Sequence, residues 1–167
     1  MKSLQETYAP TSICFGCGPA NERGLRIRSF PVEGAAVNLT ETTMEFMPEK
    51  YQEAFPGMVN GGIIYAFRLS FELDCFLCID ETGGCARTSL YRNRRFYVKL
   101  RAPTPSSQKM ILKARVSEMK EDRAKIEADL FTLQPDGTGK LTEKLCATCT
   151  GTFVAVKPGH PAYHRWS

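Results

Sequence analysis

Three pairs of cysteines stand at Cys-x-x-Cys spacing: Cys14/Cys17, Cys75/Cys78 and Cys146/Cys149. Two such pairs supply the four thiolates of a tetrahedral zinc site, so the spacing raises the question of a metal centre. The elements that carry the pairs argue against one. Cys146 and Cys149 fall three apart in a strand-like run, which predicts side chains on opposite faces of a sheet. Cys75 and Cys78 fall in an apolar helical run, where cysteine acts as a small hydrophobe. Only Cys14 and Cys17, in a Gly-rich loop, have the freedom of ligands, and Cys85 beside Gly83-Gly84 reads as a free thiol. No metal is expected. A second group of candidates is basic: Arg92, Arg94 and Arg95, with Arg87, Lys99 and Arg101 nearby. On a strand these divide between two faces, of which a solvated outer face is the commonest outcome, and no nucleic-acid partner is expected. A third group is the stripe Tyr65, Arg68 and Glu72, the polar line of a segment otherwise apolar nearly all round. Glu72 stands i, i+4 from Arg68, the spacing of a helical ion pair. The two histidines, His160 and His164, lie in the C-terminal tail, where no spacing links them to a nucleophile.

The elements that must position these groups follow from periodicity. Thr11 to Gly24 is rich in Gly, Cys and Pro and reads as ordered loop. From Leu25 and Ile27 through Val37 and Leu39 to Met44 and Phe46 the apolar residues alternate, with a change of phase that predicts a bulge. Pro48 to Gly62 carries two prolines and three glycines and reads as loop. Gly62 to Ile79 then has helical periodicity, with Ile64, Phe67 and Phe71 on one face and Ala66, Leu69 and Leu73 on another. A helix apolar nearly all round must be wrapped by other elements. Thr88 to Arg101, then Met110 to Val116, then Ala124 to Leu130 each alternate with period two, Pro135 to Gly139 reads as a hairpin loop, and Leu145 to Val156 as the last strand. Strands before and after one buried helix describe an α+β fold: an antiparallel sheet of about six strands wrapped around a long central helix.

Length and composition are consistent with that. A chain of 167 residues is one domain by size, with 43% hydrophobic and 24% charged residues, close to the globular average. The formal net charge of +4 is a mild surplus that suits an anionic ligand. Met1 to Ser12 is polar, without the apolar core of a secretory signal, and the apolar run after Gly62 is broken by Arg68, Glu72 and Asp74. A cytoplasmic protein with no membrane span and with free thiols is expected.

Four stretches in order carry a family resemblance: Cys14-Phe15-Gly16-Cys17-Gly18-Pro19 with Gly24-Leu25-Arg26-Ile27, then Phe55-Pro56-Gly57-Met58-Val59-Asn60-Gly61-Gly62-Ile63-Ile64, then Arg101-Ala102-Pro103-Thr104-Pro105, then Gly151-Thr152-Phe153-Val154. From Cys14 to Val156 the chain resembles the hotdog-fold acyl-CoA thioesterases of the PaaI-like superfamily. The resemblance implies a hotdog domain over 25–156, between an N-terminal loop segment at 1–24 and a tail at 157–167. It also implies a homodimer or dimer of dimers whose sites lie between subunits and take an acyl or aryl thioester of coenzyme A or of an acyl carrier. Coenzyme A enters as part of the substrate, and no separate cofactor is implied.

In that family the positions of Asn60-Gly61-Gly62 normally read His-Gly-Gly, and a carboxylate follows nine residues after the His. The backbone N–H of the first glycine, at a helix start, acts as oxyanion donor, while the carboxylate attacks the carbonyl or activates water. Here the His position is Asn60 and the carboxylate position is Leu69. Gly61 keeps the donor because the role belongs to backbone. Asn60 keeps hydrogen-bonding capacity toward a carbonyl. Glu72, one turn beyond Leu69, is the candidate for a displaced carboxylate. Gly62, Tyr65, Arg68 and Leu69 are expected around the substrate, with the hydroxyls of Thr88 and Ser89, and some of the basic residues are expected on the carrier's phosphates. Two readings stay open: hydrolysis by a non-standard residue set, or a non-hydrolytic protein that binds the thioester or uses the pocket for dehydration, isomerisation or cyclisation.

Overall fold

In the computed structural model residues 2–32, 41–67, 91–120, 123–155 and 159 are described. They form, in chain order, α1 (Leu4–Tyr8), β1 (Phe30–Pro31), β2 (Glu41–Phe46), a single 3₁₀ turn (Lys50–Gln52), β3 (Glu53–Phe55), β4 (Met58–Val59), a helix α2 described over 61–67, then β5 (Tyr91–Leu100), β6 (Met110–Lys120), β7 (Arg123–Pro135) and β8 (Leu141–Ala155). Six strands make one antiparallel sheet in the order β1-β2-β6-β7-β8-β5, and β3 pairs with β4 in a separate hairpin.

The alternation legible between 110 and 135 is the alternation of the two sheet faces. On β6 and β7, Met110, Leu112, Ile126 and Leu130 are fully buried, while Lys113, Arg115, Glu127 and Asp129 face outward. Register aligns Met44, Leu112, Leu130, Ala147 and Leu100 in one row across five strands, and Thr42, Ala114, Ala128, Cys149 and Val98 in the next. The second row is made of small and medium residues. A sheet face floored with them leaves room for a helix to approach, and Ile64 and Phe67 of α2 sit in the same core cluster. Phe67 also meets the ring of Phe46, with centroids 4.3 Å apart.

Four expectations need correction. Leu25 and Ile27 are buried but lie in no strand, because their N–H groups are taken by the loop carbonyls of Phe15 and Gly16. Pro48 to Gly62 is not loop throughout: it holds the 3₁₀ turn and the β3–β4 hairpin, whose turn uses Gly57 at φ +82°. The last strand starts at Leu141, four residues before the predicted start, since β7 carries the ladder out to Pro135. Cys146 and Cys149 do not face opposite sides. A register shift between Leu130 and Phe131 inserts one residue into β8, so both thiols are buried, and Cys146 Sγ lies 3.3 Å from the core-facing Thr132 hydroxyl. The described residues hold no group of three or more metal-ligating side chains.

The N-terminal stretch contributes more than loop. Ser3 and Glu6 form a reciprocal capping box on α1, and the buried Gln5 side chain joins Ser29 through two hydrogen bonds of 2.6 and 2.9 Å. Val37, Leu39, Cys75, Cys78, Cys85 and the tail with His160 and His164 lie outside the described residues, as does the predicted helix beyond 67.

Candidate functional site

Three short segments converge beside the start of α2. The β3–β4 hairpin is tied to the loop after β5 by Val59 N–H to Thr104 O (3.0 Å), Ser106 N–H to Gly57 O (3.0 Å) and a bridge between Met58 and Pro105. Ser106 Oγ donates to Glu53 at 2.5 Å, which holds the Glu53 carboxyl below its ordinary range. The 3₁₀ turn fixes the helix start: Asn60 N–H donates to Gln52 O at 2.8 Å, and the buried Gln52 side chain accepts from Glu49 N–H.

Between these segments lies an apolar groove of about 410 Å³, walled by Phe55, Met58, Ile64, Leu100 and Pro103, with Arg101 at one end. Gly61 lines it too, and a Cβ built there would point at Leu100, 4.0 Å away. Asn60 is the N-cap of α2. Its Oδ1 accepts from Gly62 N–H at 2.7 Å, and its carbonyl accepts the first helical bond from Ile64 N–H at 3.1 Å. The cap therefore consumes the donor of Gly62 and leaves that of Gly61, which donates to no acceptor among the described residues. An N–H left unspent at a helix start, on a residue that lines an apolar groove, is the kind of donor that stabilises a negative oxygen.

Thr104 was not singled out from sequence, although it sits inside a stretch that carried the resemblance. Its residue is 3% exposed, its Oγ1 has no hydrogen-bond partner among the described residues, and it lines the groove. An unpaired buried hydroxyl costs about 1–3 kcal/mol unless something pairs with it. Its burial depends on the hairpin folding over it, which no local pattern announces.

Of the three residues at the helix start, Gly61 lines the groove, and Asn60 and Gly62 adjoin it in the chain, joined to each other by the cap. Tyr65, one turn further on, is half exposed and packs edge-on against Phe96 with centroids 6.4 Å apart. Glu72, Arg68, Leu69, Thr88 and Ser89 lie outside the described residues. No described carboxylate lines the groove, and the shifted carboxylates elsewhere, Glu6, Glu118, Glu127 and Asp136, are all lowered by hydrogen bonds to neighbouring side chains or backbone, so none is held protonated as a general acid. A depression of about 480 Å³ on the outer face is lined by Lys113, Arg115, Glu127 and Asp129, but Arg115 already pairs with Glu127 at 2.9 Å and Lys113 with Glu143 at 2.7 Å.

No protein-family model matches this sequence, and no curated protein matches it. Solved structures do. A thioesterase from Haemophilus influenzae aligns with a TM-score of 0.61 at 14% identity, over 82% of this chain and 83% of that one. The chain has the hotdog fold. Another thioesterase superfamily protein aligns with a TM-score of 0.57 at 16% identity over 82% of this hotdog chain, which spans only 60% of that longer protein. A hypothetical thioesterase from Streptococcus pneumoniae, solved with coenzyme A, aligns with a TM-score of 0.55 at 6% identity, covering 73% and 86%. At these identities the likeness is one of fold.

Proposed function

We propose that this hotdog protein binds an acyl or aryl thioester with its carbonyl oxygen on the Gly61 N–H and its acyl group in the groove, and hydrolyses it. The observation that carries the reading is the division of labour at the helix start: Asn60 occupies the Gly62 donor and leaves that of Gly61, a residue that lines the apolar groove, unspent among the described residues. Asn60 is then a positioning residue. The base is Glu72 or a residue from a second copy, since no described carboxylate lines the groove. The coenzyme A bound in the pneumococcal neighbour supports a thioester as ligand. Coenzyme A or a carrier arm arrives with the substrate, and no resident cofactor is needed.

A homodimer fits the same reading. Among the described strands β5 is an edge strand of ten residues, and the backbone of an edge of that length is a template for pairing with a second copy, a contact that leaves the outer sheet face free. No described helix is long and apolar enough to cross a membrane, and a cytoplasmic site of action is part of the proposal.

The test is release of free thiol from short, long and aryl coenzyme A thioesters, with Gly61→Pro as control. Proline is tolerated at the first position of a helix, so this variant keeps the helix start and removes the N–H, while Gly61→Ala, which keeps the N–H and adds bulk on the groove wall, controls for the ring. Turnover falling by about 10²–10³ supports the donor role. Turnover unchanged in the variant removes Gly61 from the reaction. The second reading, a non-hydrolytic binder or an enzyme of dehydration, isomerisation or cyclisation, is favoured by one observation: the described groove walls hold no group able to take a proton from water. Tight thioester binding without thiol release in the wild type, and no gain in Leu69→Asp, would establish it.

A further inference from the structure

The outer face of the sheet is divided by charge. On the β2, β6 and β7 side the cations are spent: Lys109 pairs with Glu45, Lys113 with Glu143, Arg115 and Lys125 with Glu127, and Lys120 with Glu118. On β5 they are not. Arg95, Lys99 and Arg101 are exposed at alternate positions with Tyr97 between the first two, and none of them pairs with a carboxylate among the described residues. Their neighbours across the ladder are hydroxyls: Arg95 lies opposite Thr152, Tyr97 opposite Thr150 and Lys99 opposite Thr148, and Arg101 Nε donates to Thr148 Oγ1 at 3.4 Å. The nearest acids on that face, Glu127 and Asp129, stand on β7, beyond β8 and about 10 Å from β5, and Glu127 is already held by Arg115.

Resting on the thioester reading above, we propose that this stripe docks an acidic carrier protein that presents its acyl group on a phosphopantetheine arm. Two features select that occupant. The stripe runs about 20 Å along an extended strand on an open sheet face, which suits a macromolecular acidic surface better than the compact phosphates of a small molecule. It also ends at the groove: Arg101 is both the last cation of the stripe and a wall of the groove that reaches Gly61. A carrier seated on Arg95 and Lys99 has its arm delivered at Arg101, with the thioester advancing toward the helix start. Tyr97, 66% exposed amid the cations, is the residue type that anchors such interfaces.

The test measures binding of a purified acidic acyl carrier protein in its phosphopantetheine form, of free coenzyme A and of a single-stranded 20-mer DNA, to the full chain and to Arg95→Glu/Lys99→Glu. The expected result is carrier affinity reduced about tenfold or more in the variant and by added salt, with coenzyme A affinity unchanged. Arg95→Gln/Lys99→Gln, with a thermal melt matching wild type, gives a smaller loss in the same direction. Parallel loss of coenzyme A and carrier binding overturns the inference, as does a carrier affinity insensitive to the variants, or DNA bound more tightly than carrier. Thiol release from acyl-coenzyme A by the same preparations separates the two levels: release without carrier recognition overturns only the docking surface. Absence of both binding and release overturns the thioester reading with it.

Discussion

Replacing Asn60 separates its two duties, since one substitution keeps the cap and another removes it. Asn60→Ala deletes the Oδ1 that accepts from Gly62 N–H at 2.7 Å, and loss of an N-cap costs about 0.5–2 kcal/mol. For a chain of this length, about 1 kcal/mol lowers Tm by roughly 2–4 °C. Asn60→Asp keeps an oxygen in the same place and adds a negative charge where the helix dipole favours one, so Tm is held or rises. Its effect on the reaction is the opposite. The new charge stands one residue from the Gly61 N–H, which in the proposed reaction receives the developing oxyanion. At about 5–6 Å, an effective dielectric of 20 gives about 3 kcal/mol of repulsion, and the exposure of Asn60 reduces that to about half. Turnover is expected to fall by about tenfold in Asn60→Asp with KM changed less. Thermal melts with thiol-release kinetics on the same preparations provide the check. Asn60→Asp melting as low as Asn60→Ala would refute the cap, and Asn60→Asp turning over like wild type would refute an oxyanion at Gly61.

Thr104→Val replaces an unpaired buried hydroxyl by a methyl of similar size, so the free protein gains stability by up to about 1 kcal/mol while a polar ligand in the groove binds more weakly, read by melts with and without thioester. Glu53 has its folded-state pKa below the ordinary 4.5 because Ser106 donates to it, so that tie stabilises the protein above the ordinary value and is lost as the pH falls through the folded-state pKa. Ser106→Ala is expected to flatten the acid-side loss of Tm below about pH 4.5, and an unchanged profile would show that the tie contributes nothing. Gly18→Ala places a Cβ 2.4 Å from both Cys14 N and Ser12 O, a clash with backbone that is expected to cost about 1–3 kcal/mol in a denaturant melt, and a neutral result would mean that the cysteine loop relaxes freely.

What the sequence made legible was what repeats. Met110 to Val116 of β6 and Ala124 to Leu130 of β7 follow period two, and the faces of these stretches came out as read, while β6 shifts register only after Val116. The cysteine pair on β8 did not, because its orientation depends on one residue of register slip against β7, a property of two strands together. The hairpin at 53–59 was hidden by Pro56 and Gly57, which mark a turn but do not reveal the two- and three-residue strands on either side. At the site, the Gly61 donor came only from the family resemblance, whereas Thr104 and the groove walls depend on the contact between the hairpin and the loop after β5.

The order of the strands sets the order in which the fold can assemble. β6, β7 and β8 follow one another through short connections and pair as neighbours, so their loops close cheaply and early. β2 must find β6 across about 70 residues, as in the pairing of Thr43 with Lys113, and β5 must reach back to the far side of β8. The meander is then the nucleus, and the two flanking strands close late. The groove belongs to those late pieces, since Leu100 ends β5 and α2 lies between β2 and β5 in the chain. In native-state hydrogen exchange the amides of β7 should outlast those around residues 58–61, so the groove proposed to take the acyl group is the part that opens first.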